Sequence, residues 1–306
     1  MDHFKDSVVS VRDFDRSEIL QILDVAAQME GEDHFGLMEG HVLGLLFLEP
    51  STRTKLSFAS AMMKLGGKVL DFGDPERSSL KKGESLADTV RILAGYCDIM
   101  TIRHPWEGAA RLAAQIAGVP VINGGDGANQ HPTQTFLDLY TIQKVSGGLD
   151  ELNVGYLGDL KYSRTVHSLA VALDDFDCKQ YFISPESLSV PRQLLDELDE
   201  RRVEYEEHEH PEAVLSELDI LYCTRIQEER FADRVEYEKV KGVYRTNRDL
   251  LERCGVKDSL RIMHPLPRVD ELSPDLDDTP YAVYFQQARN GVPVRQALVA
   301  MLLGKV

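Results

Sequence analysis

The sequence contains little cysteine and no long apolar run, and each shortage excludes a class of protein. Its four cysteines, Cys97, Cys178, Cys223 and Cys254, form no C-x-x-C pair and have no histidine at ligand spacing. A structural zinc site and a disulfide framework are therefore not expected. The longest apolar stretch, 42–48, is far too short to span a bilayer. No signal peptide is visible at the N-terminus, so the sequence predicts a cytoplasmic protein.

Basic residues are also scarce relative to acidic ones. The 306 residues include 34 Lys and Arg against 51 Asp and Glu, which gives a formal net charge of -17. Such a surface repels nucleic acid and anionic membranes, so neither is expected as a partner. An ordinary soluble acidic protein is one interpretation of this charge. Adaptation to high salt is another, and the composition leaves both open.

Short apolar runs alternate with amphipathic stretches along the chain. The runs predict strands at 41–48, 68–72, 98–102, 119–123, 153–157, 179–183, 203–207 and 219–223. The other stretches predict helices from Ser17 onwards and at 51–65, 85–94, 107–117, 132–145, 163–173, 191–200 and 285–303. This alternation predicts the α/β class, with parallel sheets that carry helices on both faces.

The length predicts two domains, since 306 residues exceed what one hydrophobic core usually serves. Two doubly wound parallel-sheet domains, joined by helices, are expected. The first covers 1–131, and the C-terminal helix, 288–306, returns to it. The second covers 132–287.

Three hydroxyl residues and an arginine lie between a predicted strand and a predicted helix, as Ser51, Thr52, Arg53 and Thr54. The backbone N–H groups and the positive dipole end of a helix start attract anions. An ordinary N-cap would explain one hydroxyl. The arginine and the additional hydroxyls favour a phosphate-binding segment, although no glycine-rich P-loop precedes the helix.

Two further segments follow predicted strands of the first half. Arg103 stands where strand ends line the ligand crevice of parallel sheets, and it could hold phosphate bidentately or form a surface ion pair. The glycine-rich stretch 124–130 leads to His131 and Gln134 at a helix start that Pro132 suits. A lone histidine is more often structural, but glycines that allow close approach of a ligand favour a functional role here.

The remaining candidate segments are cationic or stiff. Lys81 and Lys82 lie in a loop that predicts either a solvated surface or a mobile clamp for anions. Arg164 and Arg225 each follow a predicted strand of the second half, and two arginines suit a dicarboxylate better than a monocarboxylate. Two prolines stiffen the loop at 264–268, which could present carbonyl oxygens as acceptors.

Taken together, four motifs resemble the transcarbamoylase family, from about residue 5 to the C-terminus. They are Ser-Thr-Arg-Thr at 51–54, Arg-His-Pro at 103–105, His-Pro-Thr-Gln at 131–134 and His-Pro-Leu-Pro at 264–267. The segments around Arg164 and Arg225 favour the aspartate branch over the ornithine branch. So does Pro265, where ornithine enzymes usually have cysteine. Trp106 and Leu80 depart from the usual family residues, but beside the motifs and not within them.

The resemblance implies an enzyme that transfers the carbamoyl group of carbamoyl phosphate to L-aspartate, an early step of pyrimidine synthesis, with no metal and no cofactor. The first domain would bind carbamoyl phosphate and the second L-aspartate. The implied carbamoyl phosphate ligands are Ser51, Thr52, Arg53, Thr54, Arg103, His131, Gln134, Pro265, Leu266 and Pro267. The implied aspartate ligands are Lys82, Arg164, Thr165, Arg225 and Gln227. The implied catalytic residues are Arg53, Thr54, Lys82, Arg103 and His131.

The resemblance also implies partners. Ser78 and Lys82 would reach the active site of a neighbouring subunit in a homotrimer, and a separate zinc-bearing regulatory chain is a candidate partner. Three alternatives stay open at this point: a transcarbamoylase with another acceptor such as ornithine, a non-catalytic scaffold of a pyrimidine-synthesis assembly, and a generic sugar-phosphate or nucleotide-binding α/β protein. The intact motifs argue against the last two.

Overall fold

The computed structural model describes residues 5–73, 79–226, 237–238 and 240–306, and the chain divides into two compact units. Unit 1 comprises Met1–Tyr140 and Asn290–Val306, and unit 2 comprises Thr141–Arg289. The C-terminal segment thus belongs to the first unit, as the sequence predicted. The domain boundaries predicted at 131 and 287 stay predictions, because compactness alone does not assign a substrate to either part.

Unit 1 is built on a four-stranded parallel sheet in the order β2-β1-β3-β4. The strands are β1 (Val42–Phe47), β2 (Lys68–Asp71), β3 (Ile99–His104) and β4 (Val121–Asp126). The helices are α1 (Arg16–Gly31), α2 (Thr52–Lys64), α3 (Leu86–Ala94), α4 (Ala109–Ile116) and the first residues of α5 (Pro132–Ser146). Strands β1, β3 and β4 are almost wholly buried, which explains why they appear in the sequence as short apolar runs without alternation.

Unit 2 is built on a five-stranded parallel sheet in the order β7-β6-β5-β8-β9. The strands are β5 (Leu152–Leu157), β6 (Cys178–Ile183), β7 (Tyr205–His208), β8 (Ile220–Cys223) and β9 (Arg261–Met263). The helices are α6 (Arg164–Ala172), α7 (Arg192–Glu200), α8 (Arg248–Cys254) and the start of α9 (Tyr284–Leu302), whose residues from Asn290 onwards belong to unit 1.

Each sheet reverses its direction of winding at one place. In unit 1 the chain passes from β1 to β2 on one side and from β3 to β4 on the other, so the reversal lies between β1 and β3. In unit 2 it lies between β5 and β8 for the same reason. In open α/β sheets, ligands bind beyond the carboxyl ends of the strands that flank this switch point.

The predicted fold class is confirmed, and two elements are additions to it. Strand β9 and helix α8 were not predicted, whereas each predicted strand of the first half matches one that the structure contains. Cys97, Cys178 and Cys223 are buried thiols, as expected, and Cys254 is partly exposed. Among the described residues, no helix is both long enough and apolar enough to cross a bilayer.

Candidate functional site

The segment 51–54 forms the start of helix α2, directly beyond the carboxyl end of β1. Ser51 is the N-cap residue with an extended backbone, yet within the described part of the chain its hydroxyl makes no capping hydrogen bond. Thr52 and Arg53 are exposed, and Thr54 is buried. In an ordinary N-cap, the Ser51 hydroxyl would accept a hydrogen bond from a backbone N–H group in the first turn of the helix. The geometry therefore favours the interpretation of an anion-binding helix start.

Two other predicted residues of unit 1 lie at the same edge of the sheet. The Nε2 atom of His131 is 3.4 Å from the Thr54 hydroxyl, and both side chains are buried. The Arg103 guanidinium, at the end of β3, donates a 3.0 Å hydrogen bond to the carbonyl of Gly124 and lies 3.1 Å from the Glu49 carboxylate. The ion pair foreseen as the alternative for Arg103 therefore exists, but it is largely buried and joins the two strands of the switch point.

Asp126, which the sequence analysis missed, organises the glycine-rich loop. Its carboxylate, only 1% exposed, accepts hydrogen bonds from the side chains of Asn123 and Asn129 and from the backbone N–H groups of Gly108 and Gln130, at 2.9–3.1 Å. These four hydrogen bonds fix the backbone of the loop as far as Gln130, and so fix the position of the residue that follows it, His131. Only the acidic residue between two glycines in the sequence hinted at this role.

Gln134, Lys82 and Ser78 complete the prediction for the first unit. Gln134 is the third residue of α5 and half-buried, and its Nε2 donates a 2.9 Å hydrogen bond to Asp138. Lys82 ends a short helical turn, Ser79–Lys82, and is exposed. Within the described residues, no hydrogen bond or ion pair joins Lys82 to Thr54 or His131. Ser78 lies outside the described residues.

Neighbouring side chains near the carboxyl end of β3 differ in their charge at neutral pH. Burial lowers the pKa of His104, and its Nδ1 accepts the backbone N–H of Trp106 at 2.9 Å, so the ring stays neutral with its proton on Nε2. Trp106 is exposed and packs against this ring. The cationic charge at this edge therefore comes from Arg53 and Arg103, and not from His104.

In unit 2, the predicted arginines flank the switch point between β5 and β8. Arg164 is the first residue of α6, reached from β5, and Thr165 follows it with its hydroxyl 3.2 Å from that of Ser163. Arg225 follows β8 and lines a cavity of about 190 Å³. Lys241 and Glu271 also line this cavity. Gln227, the remaining predicted aspartate ligand, lies outside the described residues.

A glycine brings the two loops of this switch point together. Gly158 has φ +127°, and a methyl group on it would overlap the carbonyl oxygen of Thr224. The Thr224 backbone N–H in turn donates to Leu157 at 2.8 Å. Only glycine combines this backbone angle with such close approach, so Gly158 sets the position of Arg225, the next residue after Thr224.

We expect Gly158→Ala to lower the free energy of unfolding by about 2–4 kcal/mol, because it adds both backbone strain and overlap. Urea unfolding followed by circular dichroism measures the change. Gly148→Ala is the matched control, since a methyl group there meets open space and the stability should hardly change. Equal stability of the two variants would contradict the role given to Gly158.

The predicted stiff loop at 264–267 is held by His264, which is 2% exposed. Its Nδ1 accepts the backbone N–H of Leu266 at 2.8 Å, and its Nε2 lies 2.8 Å from the Glu271 carboxylate. Burial acts to raise the pKa of Glu271, but the hydrogen bonds from His264 and from the backbone outweigh it and leave that pKa lowered. Leu266 has φ +56°, an unusual angle for a branched residue, which these contacts maintain.

In the part of the chain that the structure describes, no three His, Cys, Asp or Glu side chains gather as metal ligands would. The polar groups that the two switch points collect include arginines, hydroxyls and a histidine. Such groups bind anions and polarise carbonyl oxygens.

Comparison with known proteins gives matches over nearly the whole chain. Residues 6–144 match the family described as aspartate/ornithine carbamoyltransferase, carbamoyl-P binding domain, and residues 150–302 match its Asp/Orn binding domain. The chain is 54% identical to the aspartate carbamoyltransferase catalytic subunit of Thermococcus kodakarensis, over 97% of this chain and 96% of that protein.

Solved structures give the same result. The catalytic subunit of M. jannaschii aspartate transcarbamoylase has a TM-score of 0.91 and 48% identity, covering 98% of both chains. Aspartate transcarbamoylase from Trypanosoma cruzi, in complex with carbamoyl phosphate and aspartate, has a TM-score of 0.90 and 36% identity, covering 96% of this chain and 95% of that one.

Proposed function

This chain belongs to the aspartate/ornithine carbamoyltransferase family. We propose that the residues at its two switch points bind the two substrates of one reaction, one substrate at each switch point. The reaction transfers the carbamoyl group of carbamoyl phosphate to the amine of L-aspartate and yields N-carbamoyl-L-aspartate and phosphate. The observation that carries the division is that each unit collects its predicted arginines at the carboxyl ends of the strands beside its own switch point.

In unit 1, the start of α2 binds the phosphate of carbamoyl phosphate. Backbone N–H groups of the first turn, the hydroxyls of Ser51 and Thr52 and the forked guanidinium of Arg53 supply donors to its oxygens. Thr54, Arg103 and His131 stabilise the negative charge that develops on the carbamoyl oxygen when the amine attacks. The 3.4 Å approach of Thr54 to His131 supports this shared role.

In unit 2, Arg164 and Arg225 bind the two carboxylates of L-aspartate, and Thr165 and Gln227 assist. A guanidinium stays charged at any physiological pH and matches the planar fork of a carboxylate, so arginine suits both positions. The formal charge of -17 makes this local concentration of cations necessary, because both substrates are anions. Pro265, Leu266 and Pro267 are assigned to the carbamoyl group by the resemblance, and this assignment stays a prediction.

The chemistry needs no covalent enzyme intermediate. The amine attacks the carbamoyl carbon, a tetrahedral intermediate forms, and the C–O bond to phosphate breaks. A departing phosphate oxygen takes the amine proton, so phosphate itself serves as the base. Positioning and electrostatic stabilisation then supply most of the rate acceleration.

Transfer by the purified chain, with L-aspartate and L-ornithine as parallel acceptors, tests this function. Carbamoyl-aspartate should form and carbamoyl-ornithine should not. Running both assays in dilute buffer and in molar salt also separates the two interpretations of the acidic composition, because only a salt-adapted protein would lose activity and structure in dilute buffer. Transfer to ornithine alone would refute the assignment of the acceptor, and transfer to neither would favour a scaffold.

We also propose a homotrimer in which Ser78 and Lys82 act at the neighbouring subunit's site. Arg53→Ala and Lys82→Ala should each inactivate the enzyme, because each removes one part of every site. Dissociating the two variants, mixing them equally and reassembling them should restore activity at about a quarter of the sites, those that combine an intact Arg53 with an intact Lys82 from different subunits. A mixture that stays inactive while the trimer reassembles would refute the shared site.

The zinc-bearing regulatory chain and the cytoplasmic location stay predictions from the sequence. A regulatory chain would be a separate polypeptide, which co-purification from the source cell could reveal.

A further inference from the structure

Two buried charged residues of unit 1 lie on helices α5 and α9. Arg295, from α9, is 3% exposed, and Asp138, from α5, is fully buried. Neither belongs to the residues assigned to a substrate. Burying a charge is costly unless it is paired or hydrogen-bonded, so the burial of these two side chains calls for an explanation.

Arg295 is anchored on three sides. Its guanidinium stacks over the ring of Phe58 at 4.9 Å, donates to the carbonyl of Gly291 at 3.0 Å and lies 3.4 Å from the Thr133 hydroxyl. Burial lowers the pKa of Arg295 to about 10, while the Asp138 carboxylate acts in the opposite direction. The guanidinium is therefore charged at neutral pH.

Asp138 contacts a residue assigned to the substrate. The Nε2 of Gln134, one helical turn earlier on α5, donates a 2.9 Å hydrogen bond to its Oδ1. The Oδ1 atom of Asp138 accepts this bond, so the amide nitrogen of Gln134 is the atom that faces the carboxyl group. The carbonyl oxygen, Oε1, therefore points away from Asp138.

This orientation matters for a carbamoyl group. Carbamoyl phosphate carries an –NH2 group with two donors, whereas acetyl phosphate carries a methyl group of similar size and no donor. A glutamine that is fixed with its Oε1 outward can accept a hydrogen bond from this –NH2 group. A glutamine whose amide rotates freely would present its –NH2 group as often as its Oε1, and so would favour neither anion.

We propose that Asp138 is a positioning residue that fixes the Gln134 amide, so that Oε1 accepts a hydrogen bond from the –NH2 group of carbamoyl phosphate. Asp138 thus sets the preference for a carbamoyl over an acetyl group. This inference rests on the proposed function, in which Gln134 binds the carbamoyl group.

Trp106 offers a direct test. It is the single tryptophan of the chain, and it lies three residues after Arg103. Its fluorescence is titrated with inorganic phosphate, acetyl phosphate and carbamoyl phosphate in wild type, Asp138→Asn, Gln134→Leu and the double variant. We expect Asp138→Asn to lose about tenfold in the ratio of carbamoyl phosphate to acetyl phosphate affinity, the usual worth of one hydrogen bond, with phosphate affinity unchanged.

The double variant separates positioning from a structural effect. If Asp138 acts through Gln134, Asp138→Asn should change the ratio no further once Gln134 is leucine. A parallel loss of affinity for all three anions, or an unchanged ratio in Asp138→Asn, would overturn the proposal. Wild type that transfers no carbamoyl group to either acceptor would instead overturn the proposed function, which keeps the two failures distinct.

A second measurement tests the proposal on wild-type protein, in case the Asp138→Asn variant does not fold. In wild-type protein labelled with ¹⁵N-glutamine, the side-chain amide signals of Gln134 are assigned by their loss in Gln134→Leu. We expect these signals to shift with carbamoyl phosphate and not with acetyl phosphate. Equal shifts with both anions would overturn the proposal.

Discussion

Replacing Arg53 with alanine is expected to lower kcat/KM by about 10³-fold while the fold stays intact, because one charge-assisted donor to a transferring group commonly contributes that much. Arg53 is exposed in the first turn of α2, so its removal leaves no cavity in the core. Steady-state assays of carbamoyl-aspartate formation measure the loss, and circular dichroism checks the fold.

Two controls show whether the loss is specific to the guanidinium. Lys55 lies two residues further along α2, on a different side of the helix, and its ammonium group is 2.8 Å from the Asp71 carboxylate. Lys55→Ala removes the same charge from the same helix and should leave turnover near that of wild type. Arg53→Lys keeps the charge but not the fork, and it should recover only part of the activity. Near-normal turnover of Arg53→Ala would refute its role.

Trp106 fluorescence also measures how tightly the Arg53→Ala variant binds anions. Arg53→Ala should weaken the binding of inorganic phosphate as well as that of carbamoyl phosphate, since the predicted contact is to the phosphate group that both share. This distinguishes Arg53 from Asp138, whose replacement should affect only the carbamoyl group.

The parts of the site that could be predicted from the sequence are those that follow strands. Parallel strands buried on both faces appear in the sequence as short apolar runs, so their carboxyl ends can be located. Polar residues directly after these ends lie at the edge of the sheet where ligands bind. Arg103 and Arg225 were found in this way. The match of four ordered motifs to a family then added the roles, which spacing alone could not give.

The residues that were missed act through burial, which the sequence does not display. Arg295 and Asp138 are charged residues in helical segments, and a charge in a helix ordinarily predicts a solvent-facing position. Their burial follows from contacts between α9, α5 and α2 that are distant in sequence. Helix α8 was missed for another reason. Its Asn247 cap and its Gly255 stop are present, but seven residues are too few to show a helical period.

Replacing Arg225 with alanine is expected to weaken the use of aspartate strongly, because it removes a donor to one aspartate carboxylate. Charge-assisted hydrogen bonds to carboxylates are among the stronger polar contacts, so we expect a loss in kcat/KM for aspartate of about 10²-fold or more. The partial exposure of Arg225, beside a cavity of about 190 Å³, makes a folded variant the expected outcome. Aspartate saturation curves at saturating carbamoyl phosphate provide the measurement.

Arg192→Ala is the matched control for this variant. Arg192 begins α7 of the same unit, is 70% exposed and pairs with Asp196 at 2.8 Å, a surface ion pair whose loss should change neither stability nor turnover appreciably. Carbamoyl phosphate binding, read from Trp106, should be the same in Arg225→Ala as in wild type, because the predicted phosphate contacts all lie in unit 1. If aspartate saturation were unchanged in Arg225→Ala, Arg225 could not hold an acceptor carboxylate, and other residues would have to bind that carboxylate.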